Sequence, residues 1–294
     1  MTVVAIGFFD GVHLGHQQIL KGADVAVTFR NHPLTVLNAA KAPRLIMSYE
    51  DRVEAIKACG VKEVVTLDFT PALASQSPED FLSTLRLRLS TSTVRIRCGA
   101  NWRFGKGGAG TPDWLREHGV DVQVVEAAEY EGGIVSSTRI RECLSRGEIA
   151  AANAMLGRRY RVIGNRELGK GEGRKLGYPT INLSLHNSSL FTLTSSLPLG
   201  VYQVSVSGHR AIANYGYAPT FGDRAWKEPM LEVHFLDKVE VLGRGPLSTS
   251  TSNLNLIPVE LIPVELIKFI RPERKFASPA ELQAQIAADI ADLV

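Results

Sequence analysis

Two histidines, three residues apart, are the first residues in this chain whose type and spacing could do chemistry. His13 and His16 lie in GFFDGVHLGH at residues 7 to 16, after the strand-like TVVAIGFF and before HQQIL. That context predicts a strand turning into the first turn of a helix, where unpaired backbone N–H groups and the helix dipole favour an anion. Two imidazoles add hydrogen-bond donors to an α-phosphate under attack, and Gly15 lets a nucleotide approach the backbone closely. Such a site needs no enzyme nucleophile. On this motif alone the alternative of two surface histidines at a helix start stays open.

Two further stretches fit a nucleotide triphosphate. GANWRFGKGGAG at 99 to 110 is a Gly- and Lys-bearing loop after a strand, and VSSTRIR at 135 to 141 brings hydroxyls and arginines to a helix start. Each alone reads equally as a turn or a capped helix. A second site is suggested by GKGEGRKLGYPTIN at 169 to 182, where a glycine loop can lend N–H groups to phosphates. Thr180 and Asn182, two residues apart on one strand face, can hold Mg²⁺ through oxygen. Phosphoryl transfer to a hydroxyl also wants a carboxylate base. In LEVHF, alternation puts Glu232 and His234 on one face, with Leu231, Val233 and Phe235 on the other.

The elements that must position these residues fall into two textures. Up to Leu156, apolar runs such as DVAVTF, VKEVVTLDF, STVRIRCG and VDVQVVEA alternate with helical segments. Among those, SYEDRVEAIKACG carries a capping box at Ser48 and Asp51 and a stop at Gly60. This predicts an open, mostly parallel sheet with helices on both faces, a Rossmann-like nucleotidyltransferase domain over 1–156. From 157 to 294, short strands punctuated by Gly and Pro predict a small β-barrel. A C-terminal helix follows, announced by Ser278, Pro279 and Glu281. A Ser/Thr tract and a tandem duplication, IPVEL at 257 to 261 and 262 to 266, read as a local insertion whose second copy leads into a strand.

Composition bounds what these sites can belong to. With 294 residues, 45% hydrophobic and 21% charged, the chain is an ordinary globular one with room for two cores, which excludes a disordered or membrane-embedded protein. No apolar run reaches the roughly 20 residues a bilayer span needs, and no export signal is visible, so a cytoplasmic location is expected. Cys59, Cys98 and Cys143 form neither a disulfide framework nor a zinc motif and read as reduced packing residues. Residues 1 to 156 carry 17 Lys/Arg against 17 Asp/Glu and the remainder 16 against 13, so neither nucleic acid nor a membrane is an expected partner.

Over nearly its whole length the sequence resembles the bifunctional riboflavin kinase/FMN adenylyltransferase family, the FAD synthetases. GFFDGVHLGH, GANWRFG, VSSTRIR and the flavokinase-like GRKLGYPTIN carry that resemblance. It implies riboflavin, FMN and ATP as substrates with Mg²⁺ as cofactor. It assigns Gly7, Phe8, Asp10, His13, Gly15, His16, Asn101, Ser136, Ser137, Thr138 and Arg141 to the ATP site of adenylyl transfer. It assigns Gly173, Arg174, Gly177, Pro179, Thr180, Asn182 and Arg271 to the kinase site, with Thr180 and Asn182 on the metal and Glu232 as the base for the riboflavin 5′-hydroxyl. His32 matches the family's second, Pro-flanked histidine, in a functional or a structural role.

The chain departs from the pattern at three places. About a dozen residues separate His16 from TFRNHP, fewer than is usual in the family. Ile134 stands where many members carry a base, removing a charge-assisted contact of about 1.5–3 kcal/mol. VEVLG at 239 to 243 is a reduced form of the family's Asp-Leu-Tyr-Gly element. A kinase without adenylyl transfer and a flavin- or nucleotide-binding protein without turnover are the alternative readings. Another adenylyltransferase would share the histidines but lack GRKLGYPTIN.

Overall fold

The computed structural model describes residues 1–90, 94–167, 180–185, 196–217, 228–236, 261–274 and 276–291. The chain separates into two compact units, Met1–Ile140 with Met155–Gly157, and Arg141–Ala154 with Arg158–Val294. The helices are α1 (Leu14–Leu20), α2 (Leu34–Leu37), α3 (Tyr49–Ala58), α4 (Pro71–Ala74), α5 (Pro78–Arg88), α6 (Pro112–Glu117), α7 (Ser137–Arg146), α8 (Ile149–Leu156) and α9 (Pro279–Ala291).

The first unit is built on strands β1 (Thr2–Ile6), β2 (Val25–Phe29), β3 (Glu63–Leu67), β4 (Val94–Gly99) and β5 (Asp121–Val125). They pair in parallel, in the order β3-β2-β1-β4-β5. A parallel sheet must be covered on both faces, and the apolar residues divide accordingly. Val4, Ile6, Val27 and Phe29 meet Phe81 and Leu85 of α5 and Leu115 of α6. Ala5 and Ala26 face Leu20 of α1 and Ile56 of α3. Each fully buried Leu, Ile or Phe contributes about 1.5–3 kcal/mol. The sequence-level capping box is present: the Ser48 hydroxyl accepts from the Asp51 N–H at 3.0 Å and donates to its carboxylate at 2.7 Å. Because the order reverses direction at β1 and β4, the loops leaving their carboxyl ends open side by side, the place where such sheets bind ligands. GFFDGVH leaves β1 there and GANWRFG leaves β4. A short antiparallel pair, β6 (Glu129–Tyr130) and β7 (Gly133–Ile134), precedes α7.

The second unit holds β8 (Tyr160–Glu167), β9 (Thr180–Ser184), β10 (Gly200–Val206), β11 (His209–Gly216), β12 (Met230–Phe235) and β13 (Leu261–Pro272). They close an antiparallel barrel in the order β10-β11-β12-β9-β8-β13. Its interior is filled by Val162, Leu183, Tyr202, Val204, Val233 and Phe235, each at most 2% exposed. Ser207 and Gly208, with φ of 51° and 82°, form the two-residue link between β10 and β11, the backbone a tight hairpin requires. The second IPVEL copy lies within β13, while residues 257 to 260 of the first copy, the Ser/Thr tract and VEVLG fall outside the described residues. Asn153 of α8 donates to Leu266 O of β13 at 2.9 Å and accepts from Tyr160 N–H at 2.7 Å. The α9 start is capped as expected: Glu281 N–H donates to Ser278 Oγ at 3.3 Å, and its carboxylate accepts from Ala277 N–H at 2.9 Å. Among the described residues no helix is long and apolar enough to cross a membrane. Cys98 and Cys143 are buried and Cys59 is half-buried.

Candidate active sites

The loop that leaves β1 is bent hard. Phe9 and Val12, neither of them glycine, sit at φ of 57° and 39°, and Gly11 at 79°. Left-handed backbone at such residues costs about 1–3 kcal/mol each and persists only where the surroundings over-determine it. They do so here. The Asp10 carboxylate accepts from Ile46 N–H at 3.0 and 3.1 Å, and Asp10 O accepts from the Ser137 hydroxyl at 2.9 Å. Phe8 O accepts from the Thr28 hydroxyl at 3.1 Å, and Gly7 N–H donates to Val27 O at 3.1 Å. Asp10 is thus the buried buttress of the loop, and Ser137 ties the third motif to the first.

His13 is the N-cap of α1: its Nδ1 accepts from His16 N–H at 3.4 Å, so in its neutral form the ring proton sits on Nε2. The two imidazoles stack with centroids 3.6 Å apart and planes 20° from parallel. Phe9 packs edge-on against His16 at 5.3 Å. Burial, then His13, then Arg52 push the His16 pKa well below its usual range, so His16 is uncharged at neutral pH. Its Nδ1 is buried and has no hydrogen-bond partner among the described residues. A Cβ on Gly15 would lie 3.3 Å from the His13 ring, so glycine here preserves the stack. The pair is therefore a source of hydrogen-bond donors more than of full positive charge.

A buried positive charge beside this loop comes from a residue that the motifs did not contain. Arg52 of α3 is fully buried, sharing the inward face with Ile56 one turn on. Its Nη2 donates to Phe29 O at 2.6 Å and Arg30 O at 3.2 Å, at the carboxyl end of β2. Its guanidinium lies 4.0 Å over the Phe8 ring. Burial lowers its pKa to about 10, against the pull of Asp10, Tyr49 and Glu50, which leaves it a cation at neutral pH. The only sequence signal was a charge at a position four residues before an apolar one on an amphipathic helix.

Of the other residues expected at this site, Asn101 is exposed just beyond β4. Ser136 Oγ accepts from Arg139 N–H at 3.2 Å at the start of α7, and Thr138 is exposed. Arg139 donates to Tyr130 O and Gly133 O, which binds it to the β6–β7 pair. Ile134 is 57% exposed. Arg141, half-buried, falls in the second unit. His32 Nδ1 accepts from Leu34 N–H at 3.1 Å, and its ring meets Phe8 edge-on at 4.7 Å, so it shapes the turn after β2 and backs the nucleotide loop.

In the barrel, strand register assembles the second constellation. Glu232 of β12 lies directly opposite Asn182 of β9 and Asn214 of β11, and His234 lies opposite Thr180. With Leu231, Val233, Ile181 and Leu183 buried inside, Thr180, Asn182, Glu232 and His234 share the outer face. Asn182 Oδ1 is buried with no hydrogen-bond partner among the described residues, an oxygen acceptor of the kind a hard cation takes. His234 Nε2 lies 4.0 Å from Glu232 Oε1, and burial lowers its pKa despite that carboxylate. Asn214 is a residue that the sequence motifs did not single out; its position beside Glu232 is a matter of strand pairing. Arg271 is committed to Asp289 of α9, through Nε at 3.0 Å to both oxygens and Nη2 at 2.8 Å. Gly173, Arg174, Gly177 and Pro179 lie outside the described residues.

Comparison with known proteins matches the two halves of the chain to two different families. A family model described as FAD synthetase matches residues 1–139, and one described as riboflavin kinase matches 156–293. The bifunctional riboflavin kinase/FMN adenylyltransferase of Bacillus subtilis is 34% identical over 98% of this chain and 90% of its own. That of Escherichia coli K12 is 32% identical over 98% and 90%. A crystal structure described as a macrolide-efflux protein from Streptococcus pneumoniae superposes with a TM-score of 0.76 at 27% identity, covering 99% of this chain and 92% of that one. With both halves matched and full-length relatives above 30% identity, the chain belongs to the bifunctional riboflavin kinase/FMN adenylyltransferase family.

Proposed function

We propose that residues 157–294 phosphorylate riboflavin on Glu232, Thr180 and Asn182, and that residues 1–156 adenylylate the resulting FMN at the His13–His16 loop. The observation that carries the reading is the register that sets a carboxylate between two carboxamides on one barrel face, with a threonine hydroxyl on the next rung. Glu232 takes the proton of the riboflavin 5′-hydroxyl as its oxygen bonds to the γ-phosphorus of ATP, and ADP leaves. Thr180 and Asn182 would hold Mg²⁺, which when bound neutralises charge on the nucleotide phosphates. At the other site an oxygen of the FMN phosphate bonds to the α-phosphorus of ATP while the bond to the bridging oxygen breaks. The electron pair leaves with pyrophosphate. An ionised phosphate has no proton to lose, which fits a site holding hydrogen-bond donors and a cation instead of a carboxylate base.

The partners on this reading are the small molecules riboflavin, FMN and ATP, in the cytoplasm. The chain incubated with riboflavin, ATP and Mg²⁺ should yield FMN and then FAD on chromatography. FMN without FAD would leave a kinase alone, and neither product would leave a binding protein.

A further inference from the structure

We propose that Arg52 is the fixed positive charge of the adenylyl-transfer site, stabilising through space the negative charge that builds on the α-phosphate as FMN attacks. The inference rests on the adenylyl-transfer reading above and adds to it a residue outside every motif. Arg52 is 0% exposed, and only one of its three guanidinium nitrogens, Nη2, has a hydrogen-bond partner among the described residues. A buried cation with Nε and Nη1 unpartnered is costly, and natural cores retain such a group where an anion completes it. Asp10 and Glu50 act on Arg52 electrostatically, but neither hydrogen-bonds its guanidinium, and the Asp10 carboxylate accepts from Ile46 N–H. Two neutral carbonyls and an aromatic face hold the guanidinium in place without cancelling its charge.

Position places that charge where it can act. Arg52 is held at the carboxyl end of β2 beneath Phe8, the second residue of the nucleotide loop. Its field reaches His16, whose ring it helps to keep neutral. A fixed charge in a water-poor site acts without contact and without reorganising during the reaction. Of the third motif's two arginines, Arg139 is held by the carbonyls of Tyr130 and Gly133 and Arg141 falls in the second unit, and Ile134 supplies no charge.

The test uses the full chain with FMN and ATP, following FAD, and in parallel riboflavin and ATP, following FMN. R52M keeps length and apolarity but loses the charge; R52K keeps the charge. We expect R52M to lower kcat for FAD formation by about 10- to 100-fold with little change in KM for ATP. FMN formation should be unchanged, and R52K should recover to within about threefold of the parent. NMR titration should find the His16 pKa raised in R52M and restored in R52K, as expected when the charge itself and not the shape of the side chain acts on the loop. FAD formation by R52M at the parent rate, or an unmoved His16, would overturn the proposal. So would a folded R52K impaired as severely as a folded R52M, because shape and not charge would then be what matters. If R52M fails to melt cooperatively, R52K decides alone, and a folded R52K more than about tenfold slower overturns it. A parent chain that makes no FAD from FMN and ATP refutes the adenylyl-transfer reading itself, separately from the part given to Arg52.

Discussion

The two units present their candidate groups on different kinds of structure. In the first, the proposed groups sit on one short strand-to-helix loop, and the fold's task is to hold strained backbone in place with Asp10, Ser137 and Thr28. In the second, the proposed groups among the described residues lie on paired strands. Glu232 and Asn182, 50 positions apart in the chain, meet because β12 pairs with β9 in one register, and a slip of one residue would turn one of them into the barrel and separate the pair. A loop site depends on local backbone and on whatever charge is buried beneath it. A register site depends on strands that are mostly apolar on their other side.

The sharpest way to break this comparison is to remove one group from each site. Glu232→Ala should lower FMN formation from riboflavin by about 10²- to 10⁴-fold, the range of a positioned general base, while FAD formation from supplied FMN is unaffected. His16→Ala should do the converse, lowering FAD formation about 10²- to 10³-fold with FMN formation intact. Loss of both activities in either variant would refute two independent sites. Asp289→Ala probes the barrel's dependence on packing: it strands the Arg271 guanidinium, whose side chain is 19% exposed, and should destabilise the protein by about 3–5 kcal/mol in thermal or denaturant unfolding. Asp289→Asn, which keeps an oxygen acceptor for Arg271, should lose less than Asp289→Ala.

The smallest effect is one the two units share. His16 and His234 are each held neutral by burial, so their folded pKa values lie below the unfolded one. For groups depressed in this way the unfolded chain binds more protons at low pH, so the stability they allow is present above about pH 6.5 and lost as pH falls through the folded values. Melting temperature should fall between pH 7.5 and 5.5. His16→Gln and His234→Gln should each flatten part of that dependence; an unchanged slope in both would show that other groups carry it.

How much of this was legible follows from where the information lies. The Ser48–Asp51 box and the Ser278–Glu281 helix start depend on residues within one turn, and both are present. The parallel sheet and the barrel were readable because helical and alternating apolar periods persist through whole segments. Arg52 was not readable, since a charged residue on a helix ordinarily faces water, and only packing against Phe8 and the ends of β2 shows that this one does not. Arg271 was expected at the flavin or nucleotide; its bidentate partner, 18 residues on, appears only when α9 docks on β13.

The sequence by itself determined the chemical types and the local turns: two imidazoles at a helix start, a hydroxyl and a carboxamide alternating on a strand, a carboxylate on a polar face. Those are decided by spacing, because caps and alternation act over two to four residues. Only the tertiary structure decided which groups meet. The strand order sets the loops of β1 and β4 side by side, the barrel register sets Glu232 between Asn182 and Asn214, and burial makes Arg52 a fixed charge and His16 a neutral donor. Long-range pairing and the loss of water are properties of the assembled core, and no window of sequence contains them.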